Sequence, residues 1–234
     1  MKIYRQKDLG QFKNEWLNSY HHFSFGHYHD PARMSFGALR VINDDVIEAG
    51  TGFDPHPHKD MEIITYVREG TIFHRDNLGN EGATKAGNVQ VMTAGSGIAH
   101  AEYADPDIQT KIFQIWITPR EKNLTPSWAQ VEFPREALND NLKLLASGRK
   151  EHQALIDKEV VLEIHQEASL YAGIVEKDQH IKHNIERSAY LLISKGELVI
   201  KGETIKEGDG VEIAEAGTLE MIAVSPSEIL LIDL

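Results

Sequence analysis

Hydrophobic positions along the chain gather in short, β-branched runs that glycine and turn residues interrupt. In the first half these are "EIITYVREGTIFHRDNLGNEG", "KAGNVQVMTAG" and "KIFQIWIT"; in the second, "AYLLISKGELVIKGETIKEGDGVEIA" and "EILLIDL". Runs of this length, broken at "REG", "NLGN", "SKG", "KGE" and "EGDG", predict antiparallel strands joined by tight turns. Helical periodicity is weak, so the expected class is all-β with a few short helices. The texture changes between Thr118 and about Leu170, where Pro119, Pro126 and Pro134 precede "REALNDNLKLLAS", the segment best suited to a short helix or ordered connector. A boundary there divides the chain into residues 1–130 and 131–234. The halves echo each other, since "YVREGTIFHRDNLGNEGATKAGNVQVM" and "LISKGELVIKGETIKEGDGVEI" both read strand, glycine turn, strand, turn, strand. Two copies of one β unit, arranged as tandem antiparallel barrels, are expected.

Composition narrows the chemistry. The 234 residues include no cysteine, which removes thiolate metal sites, disulfides and cysteine nucleophiles and leaves His, Asp and Glu as candidate metal ligands. A formal charge of −12 and the lack of any basic run speak against nucleic acid as a direct partner. The opening "MKIYRQKDLGQF" lacks the apolar core of a signal peptide, and no apolar run approaches the ~20 residues that span a bilayer. The expected location is cytoplasmic, with no membrane partner.

Twelve residues are histidine, and H-x-H occurs at His27/His29 and at His56/His58. Alone, such a motif is weak evidence. Around His56 and His58, Pro55 and Pro57 forbid a helix interior, so the segment is extended, and residues two apart then share one face about 6.6 Å apart along the strand. The Gly-rich "MTAGSGIAHAEY" supplies a second such pair, His100 and Glu102. On neighbouring strands the two pairs would form a cage of three imidazoles and a carboxylate inside a barrel, a donor set suited to one divalent ion: Fe(II), Mn(II), Ni(II), Cu(II) or Zn(II). His180 and His183 form only H-x-x-H, which a strand sends to opposite faces, so no metal site is expected in the second unit.

These residues carry a resemblance. "GFDPHPHKDME" looks like the first motif of the cupin superfamily, and "HHFSFGHYHDP", "HPHKDMEIITYVREGTIFHRDNLGN" and "QVMTAGSGIAHAEY" followed by "FQIWITP" resemble the pirin family, densely from Tyr20 to about Pro126. "RSAYLLISKGELVI" and "GDG" at 208–210 resemble the second cupin unit of pirins. The resemblance implies a bicupin of two jelly-roll barrels. It also implies a metal, Fe(II) first and Mn, Ni, Cu or Zn as alternatives, held by His56, His58, His100 and Glu102. Many cupins instead use the glutamate of the first motif, here Glu62; the pirin pattern gives that residue the role of a supporting carboxylate that orients a histidine. His27 and His29 match no consistent family position and read as loop residues, while His74 either lines the cavity or caps a turn. Characterised bacterial pirins act as quercetinases, so the implied activity is flavonol ring cleavage with O2 and release of CO, the small aromatic flavonol-like substrate bound through its 3-hydroxyl oxygen and Glu102 either staying on the metal or swinging off to accept the hydroxyl proton. Eukaryotic pirins act as transcriptional cofactors, which implies the other reading: a metal-dependent regulatory or redox-sensing protein with a protein partner.

Overall fold

The most continuous apolar runs, "EIITYV", "KIFQIWI", "AYLLIS" and "EILLID", become strands buried on both faces, which is why they show little polar alternation. The computed structural model describes residues 1–139 and 141–234, the side chain of Arg135 aside. In the first half the strands are β1 Lys2–Tyr4, β2 Gly10–Lys13, β3 Leu17–His21, β4 Leu39–Ile47, β5 Gly52–His58, β6 Glu62–Glu69, β7 Thr71–Asp76, β8 Glu81–Lys85, β9 Val89–Thr93, β10 Ile98–Ala104, β11 Thr110–Ile117 and β12 Ser127–Val131. The second half contributes β13 Lys143–Ser147, β14 Leu162–Glu163, β15 Ser169–Val175, β16 His180–Ile185, β17 Ala189–Lys195, β18 Glu197–Ile200, β19 Glu203–Lys206, β20 Gly210–Ile213, β21 Gly217–Ala223 and β22 Ser227–Asp233.

They assemble into four sheets. Two have seven strands, ordered β12-β9-β6-β11-β4-β3-β2 and β1-β20-β17-β22-β15-β13-β14, and two have four, ordered β5-β10-β7-β8 and β16-β21-β18-β19. The same order recurs in both halves, with β9, β6, β11 and β4 matched by β20, β17, β22 and β15. The turn glycines match too, Gly70 and Gly196 having φ of 77° and 86°, a region that favours glycine. Each seven-stranded sheet closes a barrel with a four-stranded one, and the two seven-stranded sheets pack back to back. Ile42, Ile64, Tyr66 and Ile115 from one meet Leu170, Leu192, Leu230 and Ile232 from the other in a shared core. Tyr66 donates its hydroxyl to Glu228 across this contact at 2.8 Å, and Arg68 binds Asp44 on its own side and the backbone oxygen of Ser194 on the other. This is a bicupin of mostly β structure.

Two details differ from the expectation. Within "REALNDNLKLLAS" only Arg135–Leu138 turns, as a 3-10 helix, while Lys143–Ser147 is a strand; Asp140 lies outside the described residues. The apolar residues of "KLLAS" find partners in the second barrel's sheet, and tertiary pairing overrides helix propensity. The chain's first strand also belongs to the second barrel, Lys2–Tyr4 pairing with Gly210–Glu212. Among the described residues no helix is long and apolar enough to cross a membrane.

The barrels differ inside. The second is filled by Leu191, Ile193, Val211, Ile229 and Leu231 among other apolar side chains. In the first, Leu17, Ile47, Val67, Ile72 and Ile112 plug one end, and above them lies an open cavity of about 620 Å³. Polar residues at strand positions that the second barrel fills with Leu, Ile and Val keep this cavity open.

Candidate metal centre

Strand β5 carries His56 and His58, and β10 carries His100 and Glu102, each pair on one face as alternation requires. The strands run antiparallel with His100 opposite His56, and the register slips between His100 and Glu102 so that Glu102 lies opposite Phe53. Gly52 permits this approach, because a Cβ there would stand 2.1 Å from the Glu102 backbone oxygen. The three imidazoles converge, with ring centroids 4.6 Å apart for His56 and His100, 4.7 Å for His56 and His58, and 5.0 Å for His58 and His100. One nitrogen from each lies within 4.8 Å of the others.

Their tautomers follow from the surroundings. His56 Nδ1 is 2.7 Å from the backbone oxygen of Asp54, so Nδ1 carries the proton and Nε2 is free for a ligand. A longer chain sets His100: Asp76 Oδ2 lies 3.1 Å from His74 Nε2, and His74 Nδ1 lies 3.3 Å from His100 Nδ1. Burial alone would raise the Asp76 carboxyl, but the Asn80 side chain, His74 and the backbone N–H groups of Asn80 and Leu78 donate to it and hold it below the ordinary carboxylate range. As a carboxylate it accepts a hydrogen bond from His74 Nε2–H. The bare His74 Nδ1 then accepts from His100 Nδ1–H and leaves His100 Nε2 as a lone pair facing the cavity. Burial, together with the neighbouring imidazoles, pulls His58 down to about 4 and His100 to about 3. Both are neutral donors at pH 7, as metal ligation requires.

Glu102 is held from below. Gln90 Nε2 donates to Oε1 and Gln114 Nε2 to Oε2, each at 2.7 Å, and the Thr65 hydroxyl lies 3.2 Å from Oε1. The Gln90 amide is oriented in turn by Thr84 and Trp128, which donate to its oxygen at 3.1 and 3.3 Å. Gln114, Thr65 and Gln90 belong to one cross-strand row, His21–Asn43–Gln114–Thr65–Gln90–Gln130, set by the strand register. A carboxylate fixed by two amides keeps further lone pairs for another partner but is not free to swing. A Glu102 oxygen lies within 4.8 Å of nitrogens of His100 and His74, so Glu102 joins the histidine cluster through His100. His74 has both nitrogens engaged and supports the cluster instead of completing it.

Glu62 points the other way. On β6, Ile63 and Thr65 face the cavity, so Glu62 faces the second barrel, where Oε2 accepts from Thr93 Oγ1 at 2.9 Å and from the backbone N–H of His165 at 3.1 Å. Its place is therefore at the barrel–barrel contact, and the histidine it meets, His165, is outside the cluster. His27 and His29 sit in an exposed loop, and His27 reaches the cavity rim. In the second barrel His183 lies 3.2 Å from Asp233 while His180 is exposed, and among the described residues no metal-competent group forms there.

Sequence reasoning missed the Asp76–His74 support and the Gln90–Gln114 clamp. The signals were present: "HRD" has the same two-residue spacing as His56/His58 and His100/Glu102, and each glutamine interrupts an apolar run, "NVQVM" and "KIFQIWI". Removing His74 as alanine is expected to weaken binding of nickel(II) by ~10 to 100-fold, the usual cost of losing a ligand's orienting partner. Calorimetric or competition titration checks this, and unchanged affinity would sever His74 from the site.

Three imidazoles with free nitrogens and a fixed carboxylate at a cavity floor match the donor set of a transition-metal site. Fold and site define a metal-binding cupin. The pirin family pattern matches residues 3–117 and that of the quercetinase C-terminal cupin domain matches residues 154–234. The chain is 41% identical to the quercetin 2,3-dioxygenase of Escherichia coli K12 over 99% of this chain and 98% of that one, and 43% identical to a pirin-like protein of Caulobacter vibrioides, covering 96% and 95%. The bacterial pirin YhhW of Escherichia coli in complex with nickel(II) superposes with a TM-score of 0.88 at 40% identity, covering 100% of this chain and 99% of that one. The chain belongs to the pirin family.

Proposed function

We propose that this protein is a metal-dependent dioxygenase acting on flavonol-like substrates, with the ion held by His56, His58, His100 and Glu102 in the first unit, residues 1–130, and with a metal-free second unit, residues 131–234, to which the chain's first strand is lent. The observation that carries the proposal is the convergence of neutral imidazoles and a clamped carboxylate on the floor of a cavity walled by Phe12, Trp16, Phe25, Tyr28, Phe53 and Trp116. Flat aromatic walls with a few polar groups suit a polyphenol. The names of the quercetin dioxygenase relatives support the substrate class, and Fe(II) is the ion to test first, with nickel, bound in the YhhW structure, beside it.

When bound, the ion would supply Lewis acidity toward a substrate oxygen and a meeting point for dioxygen. The protein's own residues do the rest. Aromatic walls orient the ring system and exclude water. Glu102 would accept the 3-hydroxyl proton, with Gln90 and Gln114 holding its carboxylate still while it does so. The test is oxygen uptake with quercetin by protein loaded with one ion per chain, together with detection of carbon monoxide. Uptake and CO in equal amounts are expected. Binding without uptake would move the protein to the regulatory or redox-sensing reading.

A further inference from the structure

Buried polar groups are almost always hydrogen-bonded, and an exception calls for a reason. Among the described residues, two of the orphaned buried side-chain atoms belong to the wall of the metal-site cavity, Asp45 Oδ1 and Trp116 Nε1. Trp116 packs edge-on against His58 with centroids 4.9 Å apart. Asp45 lies elsewhere on the wall. It is opposite Ser19 on β3 and Ile112 on β11, one row beyond the row that clamps Glu102 and beside the apolar plug that contains Ile112. Asp45 is 2% exposed.

A carboxyl oxygen left without a partner in this position costs stability, and the side chains beside it are turned to other groups. Asn43 turns its Oδ1 to His21 Nδ1 at 2.8 Å, and the Gln114 amide nitrogen is spent on Glu102. Burial pushes the Asp45 carboxyl up to about 7 against a hydrogen bond from Ser19, and the carboxylates of Asp44 and Glu102 add to the rise. The group can therefore offer an O–H as well as accept one. Toward the protein it has no further partner; toward the cavity it has an opening.

The geometry points to Asp45 as a substrate-orienting residue whose free carboxyl oxygen hydrogen-bonds a phenolic hydroxyl or carbonyl of the aromatic ligand, at a distance from the atom that meets the imidazole cluster. This rests on the flavonol reading above and adds a specificity element to it. Ligands with polar groups beyond the 3-hydroxyl are favoured over those without, because a pocket built to pair a polar group discriminates strongly against an analogue lacking it.

The experiment compares two probes, quercetin and 3-hydroxyflavone, on nickel-loaded protein without oxygen. Binding is read by quenching of Trp16 and Trp116, which line the cavity. Wild-type protein is expected to prefer quercetin by at least ~10-fold, and Asp45→Ala to reduce that preference to within about 3-fold, mainly through weaker quercetin binding. Nickel content should be unchanged and the melting temperature equal or higher, since removing a buried carboxyl with one oxygen unsatisfied relieves a cost. Asp45→Val, a good strand former, serves equally if the alanine variant does not fold. Retention of the full quercetin preference in a folded variant overturns the assignment and leaves the flavonol reading standing. An Asp45-dependent preference in a protein that shows no oxygen uptake supports the subsite while removing the oxygenase. If wild-type protein binds neither probe, both fall.

Discussion

His58→Ala is expected to lose most of its bound metal while keeping its fold. His58 contributes to the cluster through its ring alone, with His56, His100 and Trp116 rings around it at 4.7, 5.0 and 4.9 Å, so its removal breaks no hydrogen-bonded network. The shared core between the barrels and the apolar plug are built from other residues, and the chain does not need the ion to bury them. In its proposed role as a direct ligand, His58 should cost more in affinity than the ~10 to 100-fold expected for a supporting neighbour. Elemental analysis after dialysis, with circular dichroism as a control on folding, decides the matter. Full metal retention would take His58 out of the site.

The facing of His56 with His58 and of His100 with Glu102 was readable in advance because proline and alternation are local. Pro55 and Pro57 force extension, and a two-residue spacing in an extended chain sets both members of a pair on one face. Which strands lie side by side is a non-local matter, and there the sequence carried less. The pairing of β10 with β7 sets His100 opposite Asp76 and Glu102 opposite His74, and no local feature of "HRD" announces that register. Lys2–Tyr4 is too short to show which barrel it joins. Lys143–Ser147 has residues acceptable to a helix and becomes a strand because the second sheet offers it a partner. The back-to-back sheets explain a further difficulty: a strand buried on both faces shows no polar alternation, so the facing of Glu62 could not be read from "MEIITYV" by hydrophobicity. Asp60, with φ of 50°, interrupts the extended chain between β5 and β6, so the facing of His58 does not carry through to Glu62. Motif resemblance placed Glu62 beside the ligands in sequence; the fold turns it to the opposite side of the sheet.

That difference in facing separates the two glutamates in function. Glu102→Gln is expected to lower oxygen uptake with quercetin, per bound metal, by ~10² to 10⁴, the usual cost of removing a general base. It should also lower metal content in part, because a carbonyl is a weaker ligand than a carboxylate. The clamp makes the substitution harsher than its shape suggests: Gln90 and Gln114 both present N–H groups, so the new amide can accept through one end, while its own N–H₂ must face a donor at the other. Glu62→Gln should leave turnover per bound metal within about 3-fold of wild type, since a residue away from the site acts on it weakly. Its effect should appear in stability, because Glu62 ties Thr93 to the His165 backbone across the barrel contact. Burial, opposed by the His165 and Thr93 hydrogen bonds, leaves the Glu62 carboxyl raised above its ordinary value. A glutamine therefore replaces a group already disposed to be neutral, and the stability change should be modest, about 1 kcal/mol in either direction. Oxygen consumption normalised to metal, with thermal melts of both variants, tests the pair together. An active Glu102→Gln beside a dead Glu62→Gln would mean that the acid of the first motif governs the site and that the Gln90–Gln114 clamp serves only the fold.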